Sequence, residues 1–374
     1  MKKFLYAAMA ATVLFASCAK DGNEGGANNG GPAEEAKLSI NIDAPASRAQ
    51  GTVPGNDNTV ANFTVFITDK STGDINPAWT TYSSTGTNLT GNDAISVTTN
   101  AADVYVLANA GDQSAITTLA NLTSFKADLN GTGSQTATRW ASGKTASALS
   151  FTQSGSNWSA STTVTLQFIA ARITVTVDNQ MTGYGGAGSL TLNDVAIMNA
   201  RGESLLFPAS GTSLIPATYT LGKKFYQGLA NPASPDNFAN YPATTDYTMA
   251  SVLLSDNLVS PIVATDTYYY YVFENDAAAA TDFPTIITLV GVDGNSDPLY
   301  WPVHLTGYEQ WAAAPSAAFI TRGHSYNVNI KLTGDATNGG GGTTDPTKPV
   351  VTASVEVSVS ITDWIPVPLE KEFN

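Results

Sequence analysis

Apolar residues recur at every second position in one segment of this chain after another, and that period predicts strands. Leu38, Ile40 and Ile42 alternate with Ser39 and Asn41. Apolar, β-branched and aromatic runs follow at Phe63 to Ile67, Val104 to Leu107, Val164 to Ile169, Ile173 to Val177, Tyr268 to Phe273, Ile286 to Val292 and Tyr326 to Leu332. Turn clusters separate them, among them Asp69 to Gly73, Gly91-Asn92-Asp93 and Asp293-Gly294-Asn295. Thr117 to Leu129 is the one stretch that reads as a short helix. The fold expected is all-β with minor helix.

The run from Val164 to Val177 is long for a single strand, and Gln167, Ala170, Ala171 and Arg172 break its rhythm midway. A strand that ends one sheet and begins another reads this way, so two β-sandwiches are expected to meet near Ile169. Asn338 to Gly342 reads as a flexible hinge with a stiffer Thr-Thr-Asp-Pro-Thr-Lys-Pro end.

Beyond that tract lies the longest alternation. Val351, Ala353, Val355, Val357, Val359 and Ile361 fall on one face, and Thr352, Ser354, Glu356, Ser358, Ser360 and Thr362 on the other. At ~3.3 Å per residue the ribbon reaches about 40 Å, the length of a sandwich domain. Trp364, Ile365, Val367 and Leu369 continue the apolar character, while Pro366 and Pro368 forbid central ladder pairing there. The pattern fits two dispositions: a strand folded into its own domain, or an arm that enters another body, which the glycine hinge favours.

The 374 residues favour two or more domains, and 43% hydrophobic residues can build real cores. A formal charge of −14 and a pI near 4.4 argue against nucleic acid, because phosphate binding needs a basic footprint. Solubility accounts for the acidity. Cys18 is the single cysteine, so no intrachain disulfide can form.

Cys18 closes a lipobox-like Phe15-Ala16-Ser17-Cys18, with Phe15 where Leu is commoner. Lys2-Lys3 and the apolar run Phe4 to Phe15 precede it, too short to span a bilayer, and an Asn/Gly-rich tether, Lys20 to Pro32, follows. Residues 1–17 are therefore expected to be a signal peptide and Cys18 a lipidation site giving stable membrane attachment. An ordinary secretory signal with an incidental cysteine is the alternative.

Catalytic and metal chemistry find little support. His304 and His324 are the two histidines, no H-E-x-x-H is present, and a His/Cys zinc site lacks partners. No G-x-S-x-G elbow occurs. Gly143-Lys144-Thr145 looks like the end of a phosphate loop, but Thr138 stands where its first glycine belongs. Asp293, Asn295 and Asp297 copy calcium-loop spacing, yet Pro298 and His304 fill the positions of its glycine and glutamate, and a hairpin turn between Ile286–Val292 and Tyr300–Leu305 explains them better. No metal, no cofactor and no enzyme activity are expected.

Arg48 is more informative. It lies in the small-residue loop Pro45 to Gly51, directly after the first strand, where extended exposed backbone suits a protease. A cut there would release Cys18 through Arg48, including the Leu38/Ile40/Ile42 strand, and leave a gap lined with apolar side chains and unpaired backbone. Burying five Val/Ile side chains of the last ribbon in such a gap, at ~1.5–3 kcal/mol each, amounts to on the order of 10 kcal/mol before association costs. Strand addition of this kind makes a durable joint between subunits.

These pieces resemble the fimbrillins, the type V pilins of Bacteroidales, over almost the whole chain. The resemblance rests on Cys18 after the signal, Ser47-Arg48-Ala49, Tyr105-Val106-Leu107-Ala108-Asn109-Ala110-Gly111, and Ala171-Arg172-Ile173. It continues through Tyr271-Val272-Phe273-Glu274-Asn275, the run Ile320 to Val328 containing Thr321-Arg322-Gly323-His324, and Val355 to Trp364. It implies two transthyretin-like β-sandwich domains, 49–169 and 170–374, behind a lipidated propeptide, 18–48, whose first strand is removable. It further implies an outer-membrane lipoprotein precursor carrying palmitate at Cys18, cleavage of Arg48–Ala49 by an arginine-specific protease, and a donor arm, 350–374, running from Val351 to Leu369 and including Trp364. Cys18-Ala19-Lys20-Asp21 is also similar to surface-export signals of that phylum.

The expected function is that of a fimbrial shaft subunit, polymerising with other copies and accessory pilins in adhesion and biofilm formation. A tip or minor adhesin is the alternative, as is a surface lipoprotein binding glycan or a host protein through aromatics such as Trp79, Trp140 and Tyr268 to Tyr271, although core packing is the commoner use of such residues.

Overall fold

The computed structural model describes residues 32–43, 59–85, 88–129, 140–207, 216–228, 247–249, 255–257, 267–275, 283–304, 320–346, 355–363 and 367–368. Strands dominate them, and Leu119–Ser124 is the one α-helix among the described residues. The chain is an all-β, sandwich-type protein.

Two sheets are built from strands that precede Ile169. One has the order Ile95–Thr98, Glu35–Asp43, Asn157–Thr165, Thr152–Ser154. The other runs Gln167–Phe168, Ala141–Lys144, Ala101–Ala108, Phe63–Asp69, Thr81–Ser83. Leu38, Ile40 and Val164 of the first join Phe63, Val65, Val106 and Phe168 of the second in one buried cluster. Phe63–Asp69 is covered on both faces: Thr64 and Thr68 are buried along with Phe63, Val65, Phe66 and Ile67, where a one-sided strand would alternate.

The long segment expected to change sheets serves three. The chain leaves the first sheet at Thr165, pairs Gln167 and Phe168 with Ser142 and Ala141 in the second, and enters a third at Ala170. That third sheet has the order Thr267–Phe273, Ala170–Asn179, His324–Leu332, Val355–Asp363. The fourth runs Ser255–Asn257, Thr191–Met198, Ile286–Val292, Pro298–His304. Tyr270, Val175 and Tyr326 of the third pack into the same cluster as Val195, Leu289 and Trp301 of the fourth.

Asp293 to Asp297 is the turn of the hairpin that pairs Ile286–Val292 with Pro298–His304. The Asp293 carboxylate accepts from the Asn295 and Asp297 N–H groups, at 2.8 and 2.9 Å. Gly143 and Lys144 lie in a strand rather than a phosphate loop, and Lys144 pairs with Asp103 at 3.3 Å.

The glycine tract differs from expectation: it is packed, not a free hinge. Ala336–Gly341 forms 3-10 turns with positive φ at Gly339, Gly340 and Gly341. The Trp301 Nε1–H donates to the Gly340 carbonyl at 3.3 Å. A Cβ on Gly340 would stand 2.5 Å from Met181 Sδ, and one on Gly342 2.9 Å from the Trp301 ring. Absence of a side chain here permits close approach, a use that composition cannot tell from freedom. Thr343 and Tyr300 then exchange backbone hydrogen bonds at 2.8 Å, and Thr288 Oγ1 donates to the Pro346 carbonyl at 3.5 Å. The chain is anchored as far as Pro346.

Candidate functional site

The first strand, Glu35–Asp43, is held on both flanks. Ala36 to Asp43 pair in parallel with Trp158 to Thr165, and Glu35 to Leu38 pair antiparallel with Thr98 to Ile95. Past Leu38 the second flank is completed without a regular strand. Ile40 and Leu89 exchange both backbone hydrogen bonds, and the Ile42 N–H donates to Asn88 Oδ1 at 2.9 Å.

Leu38 and Ile40 are 0% exposed and Ile42 4%, as their alternation predicts. Each such side chain contributes ~1.5–3 kcal/mol by burial. Without this strand the core would open between Ile95–Thr98 and Asn157–Thr165. Backbone donors and acceptors on both walls would lose their partners.

Among the described residues the arm strand, Val355–Asp363, is held on one flank. It pairs antiparallel along its whole length with His324–Leu332 and is the outermost member of its sheet. Val355, Val357, Val359 and Ile361 stand opposite Leu332, Ile330, Val328 and Tyr326, all four of them buried. Glu356 stands opposite Lys331, whose register neighbour on the other side is Asp178.

Val367–Pro368 then pairs in parallel with Thr59–Val60, at the start of the first group of sheets. Among the described residues this two-residue ladder has no third strand, a setting in which a proline costs no central hydrogen bond. Cys18, Arg48, Ala49, Val351, Ala353 and Trp364 lie outside the described residues.

Sequence reasoning missed a polar junction between the two groups of sheets. Lys126–Asp128 pairs with Glu203–Leu205. Buried Arg322 donates through Nη2 to Glu274 Oε1 and to Ser204 Oγ, both at 2.8 Å, and through Nη1 to the Leu206 carbonyl at 3.4 Å. Gln167 Nε2 donates to the Arg322 carbonyl at 3.2 Å. Lys126 pairs with Glu203 at 3.1 Å, Lys223 pairs with Asp128, and the Tyr226 hydroxyl donates to Asp128 Oδ1 at 3.0 Å.

Burial alone would raise the Glu203 carboxyl, but hydrogen bonds from Thr220 and the Lys126 ammonium outweigh it and hold the group below its ordinary range. Burial, reinforced by Asp128, pushes the Tyr226 phenol up. The signal available in sequence was a charged residue closing an apolar run, Glu274 after Tyr268 to Phe273.

Among the described residues no three His, Cys, Asp or Glu side chains gather to hold a metal. His324 Nδ1 lies 3.0 Å from the Arg322 carbonyl, a structural contact. What the arrangement can do is mechanical: one deeply seated strand, one strand at a sheet edge.

Residues 36–194 match the family described as major fimbrial subunit protein (FimA). Residues 170–364 match the family described as FimA-like major fimbrial subunit protein, C-terminal domain. A search of the curated proteins finds no match. Among solved structures, a candidate cell adhesion protein from Bacteroides eggerthii is similar at TM-score 0.69 and 24% identity, over 91% of this chain and 100% of that one. A fimbrilin (FimA) from Porphyromonas gingivalis is similar at TM-score 0.59 and 18% identity, over 89% and 98%. At these identities the structures establish the shared fold. The two family matches, one of them spanning more than half of the chain, carry the assignment: this chain belongs to the FimA-like major fimbrial subunit family and is a structural component of a cell-surface fimbrium, not an enzyme.

Proposed function

We propose that this protein is a fimbrial shaft subunit that polymerises by strand exchange after proteolysis at Arg48–Ala49. The precursor is exported, lipidated at Cys18 and held at the outer membrane; an arginine-specific protease then removes residues 18–48, and with them Glu35–Asp43. The residues running from Val351 to Leu369 of another copy fill the slot. The resulting filament serves adhesion and biofilm formation, with accessory pilins at its ends.

One contrast carries the reading: the strand to be removed is central, and the strand to be donated is an edge. Among the described residues Val355–Asp363 has one neighbour at home, His324–Leu332. In the slot it gains two, Asn157–Thr165 on one side and Ile95–Thr98 with Leu89 and Asn88 on the other. There it gains a second set of main-chain bonds, each worth ~0.5–1.5 kcal/mol net. Exchange is therefore downhill once the slot is empty and blocked while the first strand fills it.

With the chain anchored as far as Pro346, the proposed arm pivots after the glycine tract. Residues 347–354 connect that anchor to Val355, and eight extended residues reach at most about 26–29 Å.

The test uses the full-length chain treated with an arginine-specific protease. SDS-resistant ladders are expected from it, and none from the Arg48→Ala variant or from a chain lacking residues 350–374. Ladders that persist in the deletion reject the mechanism.

A further inference from the structure

Resting on the strand-exchange reading, we infer that the arm of a second copy of this chain enters the slot in one direction and one register, with Val355 to Thr362 replacing Ala36 to Asp43 position by position. Glu356 then takes the place of Lys37, Val357 of Leu38, Ser358 of Ser39, Val359 of Ile40, Ser360 of Asn41 and Ile361 of Ile42.

Side-chain volume selects this register. The four inward positions of the first strand are Ala36, Leu38, Ile40 and Ile42, each 6% exposed or less. In the inferred register Ala36 gains two carbons in Val355, Leu38 and Ile40 lose one each to Val357 and Val359, and Ile42 meets Ile361 unchanged. Total apolar volume is conserved, the condition a packed core tolerates best. Moving the arm by two residues one way puts Ala353, Val355, Val357 and Val359 inward, which leaves Leu38, Ile40 and Ile42 each a carbon short and nothing to compensate. Moving it two residues the other way puts Asp363 at the Ile42 position, 4% exposed, where burying a carboxylate is costly.

Outward positions agree. Lys37 is exposed and its neighbours in register are Ser96 and Ser159, so Glu356 meets no like charge there. Ser39 and Asn41 are half-buried and are replaced by serines. The shifted register with Ala353 inward would instead drive Glu356 into the half-buried place of Ser39, and a reversed arm with Ile361 at Ala36, which conserves volume equally, would drive it into the half-buried place of Asn41.

The backbone closes the argument. Ile40 uses its N–H and C=O on Leu89, and Ile42 its N–H on Asn88 Oδ1. In the inferred register Val359 and Ile361 meet those groups. No proline occurs from Val355 to Asp363 to remove a donor. Because slot and arm match within one sequence, the partner is an identical copy.

Cysteine cross-linking reads the register directly. Single cysteines replace Glu356, Ser358 or Ser360 in one set of full-length Cys18→Ser chains, and Ser159, Ser161 or Thr163 in another; all are outward positions on the inferred pairing. Arm and slot chains are mixed, cleaved with an arginine-specific protease and oxidised. Directly opposed positions stand within disulfide reach and diagonal ones do not. Disulfide-linked dimers are therefore expected for 356 with 159, 358 with 161 and 360 with 163, on the order of tenfold above the other six combinations. Strong 356–163 and 360–159 links mean a reversed arm and overturn the direction. Strong 358–159 or 356–161 links mean a shifted arm and overturn the register. In both cases ladders still form and exchange itself stands. Neither ladders nor cross-links in any combination overturns the exchange and the register together.

Discussion

Ile40 and Leu89 exchange both of their main-chain hydrogen bonds, 2.9 Å in one direction and 3.0 Å in the other. This pair, with Asn88 beside it, finishes the flank of the first strand where Ile95–Thr98 no longer reaches. Asn88→Ala leaves the Ile42 N–H without its 2.9 Å acceptor. An unmade bond of this kind costs ~1–3 kcal/mol, and the unfolding free energy of the uncleaved chain should fall by about that amount in urea titration. An unchanged midpoint would show that water replaces the side chain at no cost.

Arg322 and Glu274 form a pair in which both partners are almost wholly buried. Glu274→Ala strands the guanidinium and should cost ~3–5 kcal/mol, whereas replacing both residues by methionine should recover most of the loss. Thermal unfolding of the single and double variants tests this; equal destabilisation by both would mean that the pair acts through packing, not charge.

Gly340 has φ +55° and lies against Met181 and Leu190. Gly340→Ala should destabilise the fold by ~1–3 kcal/mol through overpacking. A solvated hinge at this position predicts no loss, so the denaturation midpoint separates the two.

The Glu203 carboxyl is held below its ordinary pKa in the fold. Its contribution to stability is therefore complete above the unfolded value of about 4.3 and fades as pH falls through the lower folded value. Unfolding midpoints from pH 7 down to pH 3 should drop less steeply for Glu203→Gln than for the native chain. Parallel curves for the two proteins would contradict this.

Much of the fold can be read in the residues because strand burial imprints a two-residue period. Leu38, Ile40 and Ile42 are buried where alternation puts them, and Asp293 to Asp297 is the hairpin turn its composition suggests. The helix is shorter than Thr117 to Leu129 because tertiary pairing overrides local preference. Thr118 caps its start, Phe125 is extended, and Lys126–Asp128 is drawn into a ladder with Glu203–Leu205.

The polar junction was not legible because its members, Gln167, Ser204, Glu274 and Arg322, are scattered along the chain, and no local pattern links them. The glycine tract misled for a different reason. Gly340 and Gly342 are glycines so that Met181 and the Trp301 ring can come close, and only the neighbours reveal it.

The parallel ladder between Glu35–Asp43 and Asn157–Thr165 has a mechanical meaning for whatever strand occupies that seat. Tension applied lengthwise would load its rungs in shear, all at once, instead of peeling them open singly. A thread jointed this way resists flow far better than its individual bonds suggest, and it parts by tearing a whole seam.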